Sequence, residues 1–207
     1  MNFSVEEMQV EAARAGMGLD DEKAGLLVLM AGELQKYGRV HNLTSITENK
    51  RALLDHFTDS IACAANIKVF PGINIADLGS GAGFPGIPVK VAYPGICMSL
   101  VESSAKKSVF LEHVCRILKL KCIKVLNARA ENLGVMRGFR ESFDAVLARA
   151  VSPLNVLLEL ALPLIKPGGR AYLQRGREAE KETHLYLKAL STLGGRLESM
   201  AKYSIGN

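Results

Sequence analysis

A short apolar run from Ile73 ends in Asp77, crosses Gly79, Gly81 and Gly83, and enters a helix through Pro85 and Pro88. No other stretch limits the fold as tightly. Glycines at alternate positions allow a sharp turn from strand to helix. They also keep Cβ atoms out of a ligand's way, and the helix start is expected to offer unpaired N–H groups to whatever sits there. Asp77 adds a carboxylate at the strand's C-terminal mouth, where open α/β sheets bind ligands. The segment predicts a nucleoside-binding turn, with Asp77, Gly79, Ser80, Gly81, Gly83 and Phe84 as its candidate binding residues.

Two cofactor classes use such a turn. Gly81 to Gly86 satisfies the G-x-G-x-x-G pattern of dinucleotide enzymes, so a nicotinamide cofactor is one reading. Dinucleotide sites set the helix start against a doubly charged pyrophosphate, and Asp77, two residues before Gly79, would repel it. The same charge suits a cationic ligand end, such as the amino-acid portion of S-adenosylmethionine. The run Asp77-Leu78-Gly79-Ser80-Gly81-Ala82-Gly83 resembles the first motif of class I methyltransferases, which favours the methyl donor.

The surrounding pattern predicts a Rossmann-like α/β fold, a mostly parallel sheet with helices on both faces. From residue 73 onward, strands at 73–78, 96–101, 121–126, 143–148 and 169–175 alternate with helices at 84–93, 104–119, 153–165 and 178–192. Residues 195–204 are a candidate sixth strand. Residues 1–66 read as helices: one starts near Leu19 and stops at Gly38, an extended link follows over Asn42 to Thr47, and Thr47 caps the next. Pro71-Gly72 divides the two regimes. The expected organisation is a helical cap, 1–66, and a methyltransferase domain, 67–207.

Composition excludes several classes. No apolar run approaches the ~20 residues that span a membrane, and the N-terminus has no signal-peptide pattern, which places the chain in the cytoplasm. Cys63, Cys97, Cys115 and Cys122 contain no C-x-x-C pair and read as free thiols, with neither disulfides nor a metal site expected. Residues 1–70 hold seven Lys/Arg and ten Asp/Glu, a net of −3, whereas residues 71–207 hold nineteen and eleven, a net of +8. A basic second part suits a polyanionic partner such as RNA, although mildly basic domains are common for other reasons.

Downstream residues test the donor reading. Glu102 closes the second strand, where a carboxylate can accept both ribose hydroxyls; the plain alternative is an acid at a helix start. Ala130 and Glu131 follow the third strand, where main-chain groups can read an adenine edge, or merely form a surface turn. Arg149 ends the fourth strand, at the position of catalytic residues in this fold, with a salt bridge to Glu102 or Asp144 as the alternative. No Asp/Asn-Pro-Pro-aromatic run for an exocyclic amine follows it, and no nucleophilic Cys for a pyrimidine carbon lies nearby in the sequence. An acceptor that already has a free lone pair remains, and guanine N7 is one. Arg149 would then donate to guanine O6 or a phosphate. Lys106, Lys107, Arg175 and Arg177, with Arg170, are candidate phosphate contacts. Tyr37, Phe57 and Phe84 read as core, and the four histidines as structural or surface.

Several motifs occur here in order: Asn42-Leu43-Thr44-Ser45-Ile46, His56-Phe57-x-Asp59-Ser60, the run from Asp77 to Pro88, Glu102-Ser103-x-x-Lys106-Lys107, Arg129-Ala130-Glu131 and Arg149-Ala150. Over residues ~37–180 the chain closely resembles the bacterial ribosomal RNA small-subunit methyltransferase G family, also called glucose-inhibited division protein B. The resemblance implies transfer of a methyl group from S-adenosyl-L-methionine to N7 of one guanine in 16S ribosomal RNA, with S-adenosyl-L-homocysteine as product. It implies donor contacts at Gly79, Phe84, Ala130, Glu131 and Arg149, and a monomer acting on ribosomal RNA or the 30S subunit without a membrane. Family members continue into a seventh, antiparallel strand that this chain lacks, so truncation or loss of that strand is expected.

Overall fold

The computed structural model describes residues 3–41, 50–176 and 179–203; the side chains of residues 39–41, 52 and 179–185 lie outside that description. Three helices come first: α1 (Val5–Arg14), α2 (Asp21–His41) and α3 (Lys50–Asn66). Ser4 and Glu7 close a reciprocal capping box on α1. Asp20 Oδ1 accepts from Lys23 N at the start of α2. That helix runs through Gly38 instead of stopping there. Tyr37 beside it packs at 5.0 Å on Phe110 and 5.0 Å on His113, and one internal glycine costs only about 1 kcal/mol against such packing. The link at residues 42–47 and the Thr47 cap lie outside the described residues.

The alternating region follows as β1 (Asn74–Leu78), α4 (Gly86–Ala92), β2 (Cys97–Glu102), α5 (Ala105–Ile117), β3 (Ile123–Asn127), α6 (Ala130–Val135), β4 (Phe143–Arg149), α7 (Leu154–Ala161), a 3-10 turn (Leu162–Leu164), β5 (Ile165–Gln174) and α8 (Ala179–Thr192). The five strands form one parallel sheet in the order β3-β2-β1-β4-β5. The order reverses direction between β1 and β4, and the C-terminal ends of those two strands make the switch point where such sheets bind ligands. β5 starts four residues before the expected span, since the 3-10 turn feeds straight into it. Residues 195–203 form no strand; that tail is tied by side chains, Glu198 to Lys68 and Arg170, and Tyr203 to Asp59.

Two hydrophobic clusters flank the sheet. One joins Met30, Phe57 and Ile61 of α2 and α3 to Ile87 and Val89 of α4 and Phe110 of α5. The other packs Leu133 of α6 and Leu157 of α7 on Ala76, Val146 and Ala148. Helix α4 is buried along its whole length, between α2, α3 and β2. It carries a lysine the sequence reading passed over: Lys90 is 1% exposed, and its ammonium donates to the carbonyls of Pro94 and Ile96. Those bonds make a buried charge tolerable, although burial still lowers its pKa.

The cysteine expectation is overturned. Cys97 and Cys122 form a disulfide, with Cα atoms 4.9 Å apart, while Cys63 and Cys115 are free. The pair is 25 residues apart in sequence. Parallel pairing of Met98 with Ile123 makes the two residues just before them neighbours, which no spacing motif can reveal.

Candidate active site

The turn after β1 is stitched to its neighbours by main-chain bonds: Ser80 N donates to Val101 O at 3.1 Å, and Gly83 N to Ser80 O at 2.7 Å. Gly79, Gly81 and Gly83 all have positive φ, at 64°, 57° and 100°, where a side chain would be strained. Open space for a ligand explains only one of them. A Cβ on Gly79 would lie 2.9 Å from Val151, and one on Gly83 would lie 2.6 Å from Ile87; on Gly81 it would meet only Gly79 O, at 3.7 Å. Two of the three glycines therefore admit protein side chains.

The first turn of α4 also departs from expectation, because its N–H groups are spent inside the protein. Gly86 N donates to Asp77 Oδ2 at 3.1 Å, Ile87 N to Gly83 O at 2.8 Å and Val89 N to Pro85 O at 3.1 Å, and Pro85 and Pro88 have none to offer. Asp77 thus caps the helix from the strand below. It is fully buried, and its Oδ1 has no hydrogen-bond partner among the described residues. Burial pushes its pKa up to about 7, against the pull of Ser80, the Gly86 N–H and Arg149. A Cβ on Gly86 would meet Asp77 Oδ2 at 2.5 Å, so the carboxylate and this glycine require each other.

Glu102 stands at the end of β2 with one oxygen on each neighbouring element. Its Oε2 accepts from Gly81 N at 2.9 Å and its Oε1 from Ser104 N at 2.8 Å, beside the start of α5. The acid therefore does hold a helix start, while lone pairs remain on both oxygens. At the end of β3, Ala128 N and Asn127 Nδ2 donate to the Glu102 carbonyl at 3.1 and 3.0 Å. Ala130 and Glu131 open α6 and border a cavity of about 200 Å³ shared with Arg140 and Glu159.

Arg149 reaches neither Glu102 nor Asp144. Its Nη1 donates to Asp59 Oδ2 at 2.9 Å and to the carbonyl of His56 at 3.4 Å, and its guanidinium lies 5.2 Å from the Phe84 ring centre. Asp144 instead binds Lys166 and the Asn74 N–H. Phe84 is buried against Phe57, at 5.1 Å, and His56, at 5.6 Å. Burial, with Arg149 beside it, pulls His56 down to about 4, so its imidazole is neutral at physiological pH. Cys63, distant from Arg149 in sequence, is close enough for its titration to feel Asp77 and Arg149. Burial pushes this thiol up to about 12, far from a nucleophilic thiolate.

The outlying candidates fare differently. Lys106 is exposed and Lys107 half-buried in the first turn of α5. Arg175 points inward, its Nη1 donating to Ser152 O at 2.7 Å, which ties the loop after β4. Arg177 lies outside the described residues, and Arg170 grips Glu198. His56 and Asp59 are the site residues the sequence reading assigned no role. Their place together in the His56-Phe57-x-Asp59-Ser60 motif was the available signal. Among the described residues no group of His, Cys, Asp and Glu could hold a metal ion, and no helix is long and apolar enough to cross a membrane.

Comparison with known proteins identifies the family. The GidB family profile, described as rRNA small subunit methyltransferase G, matches residues 24–206. The ribosomal RNA small subunit methyltransferase G of Desulfitobacterium hafniense is 39% identical over 193 residues, 93% of this chain and 80% of that one. The protein of the same name from Bacillus subtilis is 37% identical over 203 residues, 98% and 85% of the two chains. Among solved structures, a SAM-dependent O-methyltransferase from Thermotoga maritima superposes with a TM-score of 0.55 at 18% identity, covering 76% of this chain and 56% of that one. A Corynebacterium glutamicum protein gives 0.55 at 14% identity over 86% of each chain. At such identities these structures speak for the fold.

Proposed function

The chain belongs to the rRNA small subunit methyltransferase G family, and from that premise we propose methyl transfer to N7 of a guanine in small-subunit ribosomal RNA. S-adenosylmethionine, when bound, supplies an electrophilic methyl on a cationic sulfur. One observation carries the reading: at the switch point, the acid-bearing glycine turn meets an anchored arginine, Arg149, across Phe84.

The residues fit such a donor. Asp77 keeps a buried oxygen without a partner, suited to a nearby cationic group, and Glu102 keeps lone pairs for ribose hydroxyls. Gly79, Ser80, Gly81, Gly83 and Phe84 would line the donor, and main-chain groups of Ala130 and Glu131 would read its adenine edge. Arg149 would hold the base through O6 or a phosphate. Lys106, Lys107 and Arg177 would meet the RNA backbone, while Arg175, turned inward onto Ser152 O, would hold the loop after β4. In this reading residues 1–66 are a helical cap on a methyltransferase domain, and a cytoplasmic monomer acts on ribosomal RNA or the small subunit.

N7 carries a lone pair and no proton, so the protein has no proton to remove. The neighbours of Arg149 suit that chemistry, with a neutral His56 and a thiol at Cys63 held protonated. What the chain contributes is orientation, which can lower a barrier by several kcal/mol. Incubation with methyl-labelled donor and undermethylated ribosomal RNA, followed by mapping of the label, tests the reading. Label on guanine N7 supports it. Label on an exocyclic amine, a ribose oxygen or a protein overturns it. Calorimetric titration should show binding of S-adenosylhomocysteine and none of NAD.

A further inference from the structure

Asp59 sits on α3, outside the strand ends where the chemistry was expected. Three segments nevertheless converge on it. Its Oδ2 accepts from Arg149 Nη1 at 2.9 Å, at the end of β4. Its Oδ1 accepts from Gln174 Nε2 at the end of β5, and from the Tyr203 hydroxyl on the tail, each at 2.7 Å. Gln174 Nε2 also donates to the Asp59 main-chain carbonyl at 2.9 Å and to the Tyr203 oxygen at 2.7 Å.

Stability alone is a weak reason for such a pair. The Arg149 and Asp59 side chains are only 13% and 18% exposed, and removing two charges from water offsets much of their attraction. What the arrangement supplies is direction. Among the described residues both hydrogen bonds of the guanidinium run through Nη1, leaving the Nη2 and Nε edge as a planar two-donor fork. The fork is backed by the Phe84 ring, 5.2 Å from its centre. An arginine left to its stem would spread over many rotamers; one nitrogen fixed to a carboxylate, itself pinned at its other oxygen, confines the rest.

We infer that Asp59 is a positioning residue for Arg149 in base binding and methyl transfer, with Gln174 and Tyr203 acting through it. This rests on the reading of Arg149 as the group that contacts the base.

Asp59→Asn keeps the shape and removes the charge. We expect turnover on ribosomal RNA to fall about tenfold to a hundredfold, with affinity for S-adenosylhomocysteine within about twofold of the parent. In an Arg149→Ala background the same substitution should change the residual turnover by less than about twofold, because no guanidinium remains to be placed. Equal losses with and without Arg149 would show a role independent of it and overturn the proposal, as would unchanged turnover in Asp59→Asn. Should Asp59→Asn lose its fold, Tyr203→Phe supplies the same cycle, with a loss of about twofold to fivefold that vanishes without Arg149. If Arg149→Ala itself keeps full turnover, the reading of Arg149 fails, and the positioning role falls with it by a separate, recognisable result.

Discussion

At the ends of β1 and β2 the acids are held by main chain; at the ends of β4 and β5 the acid is held by side chains. Asp77 and Glu102 take N–H groups from Gly86, Gly81 and Ser104, none more than 21 residues away. Asp59 takes donors from Arg149, Gln174 and Tyr203, 90 to 144 residues distant. The first centre is a property of a local turn, so substitutions in it act on stability. The second is a property of the assembled molecule, and its side chains can be exchanged while the backbone stays put. The contrast predicts which substitutions damage stability and which damage chemistry.

The largest effect belongs to the side-chain centre. Arg149→Ala should lower turnover by about a hundredfold to a thousandfold, the usual cost of removing one placed donor, with little change in melting temperature. A steady-state assay with labelled donor beside thermal melts checks this, and a large loss of stability would erase the contrast.

Next comes Asp77, in the main-chain centre. Its folded pKa, about 7, lies above the ordinary carboxyl value of 3.8, so between those values the folded state binds more protons than the unfolded one. The stability it contributes is fully present below about pH 4 and is lost as pH rises through 7. His56 has the opposite sign: its folded pKa of about 4 lies below 6.5, so its contribution is lost as pH falls through that window. Comparison with Asp77→Asn separates the two. The variant should be more stable than the parent at pH 8 by about 2–4 kcal/mol, with the margin closing toward pH 5. Urea unfolding at both pH values measures it; a margin independent of pH would mean that Asp77 is not buried as a charge.

Gly86→Ala should follow, at about 2 kcal/mol, because its Cβ has no room beside Asp77 Oδ2 and Leu100. A neutral result would show that the turn yields more than its packing suggests. Smallest is Glu198→Gln, at an exposed ion pair with Lys68 and Arg170. Its effect on melting should be slight and absent at high salt.

The same contrast explains what could be read from sequence. Gly79, Gly81, Gly83 and Glu102 lie within one strand-turn-helix-strand stretch, where residue type and spacing carry the information. Four of the five strands were readable for a similar reason, each being a short, mainly apolar run, whereas β5 opens on Lys166, Pro167 and two glycines and only its later part was legible. Asp59 was not, because nothing near it in sequence announces Arg149, Gln174 or Tyr203. Cys97 and Cys122 were missed for want of the strand register. Gly38 misled because packing of Tyr37 outweighs a single weak helix former. The helix start of α4 misled more deeply: its glycines and prolines fit a ligand-binding turn, yet its donors are consumed by Asp77 and Gly83.

The hub at Asp59 also has a history, in the sense that a folding chain must reach it. A capping box like that of Ser4 and Glu7 closes over three residues, whereas the hub must close loops of 90, 115 and 144 residues. Each such closure costs chain entropy before any contact compensates for it. The grip on Arg149 is therefore expected to close late in folding and, resting on a few partly exposed bonds, to open early under stress. A population can keep its sheet, its helices and its glycine turn and still contain molecules whose arginine has not been set. Activity would then decline before any probe of secondary structure registers a change.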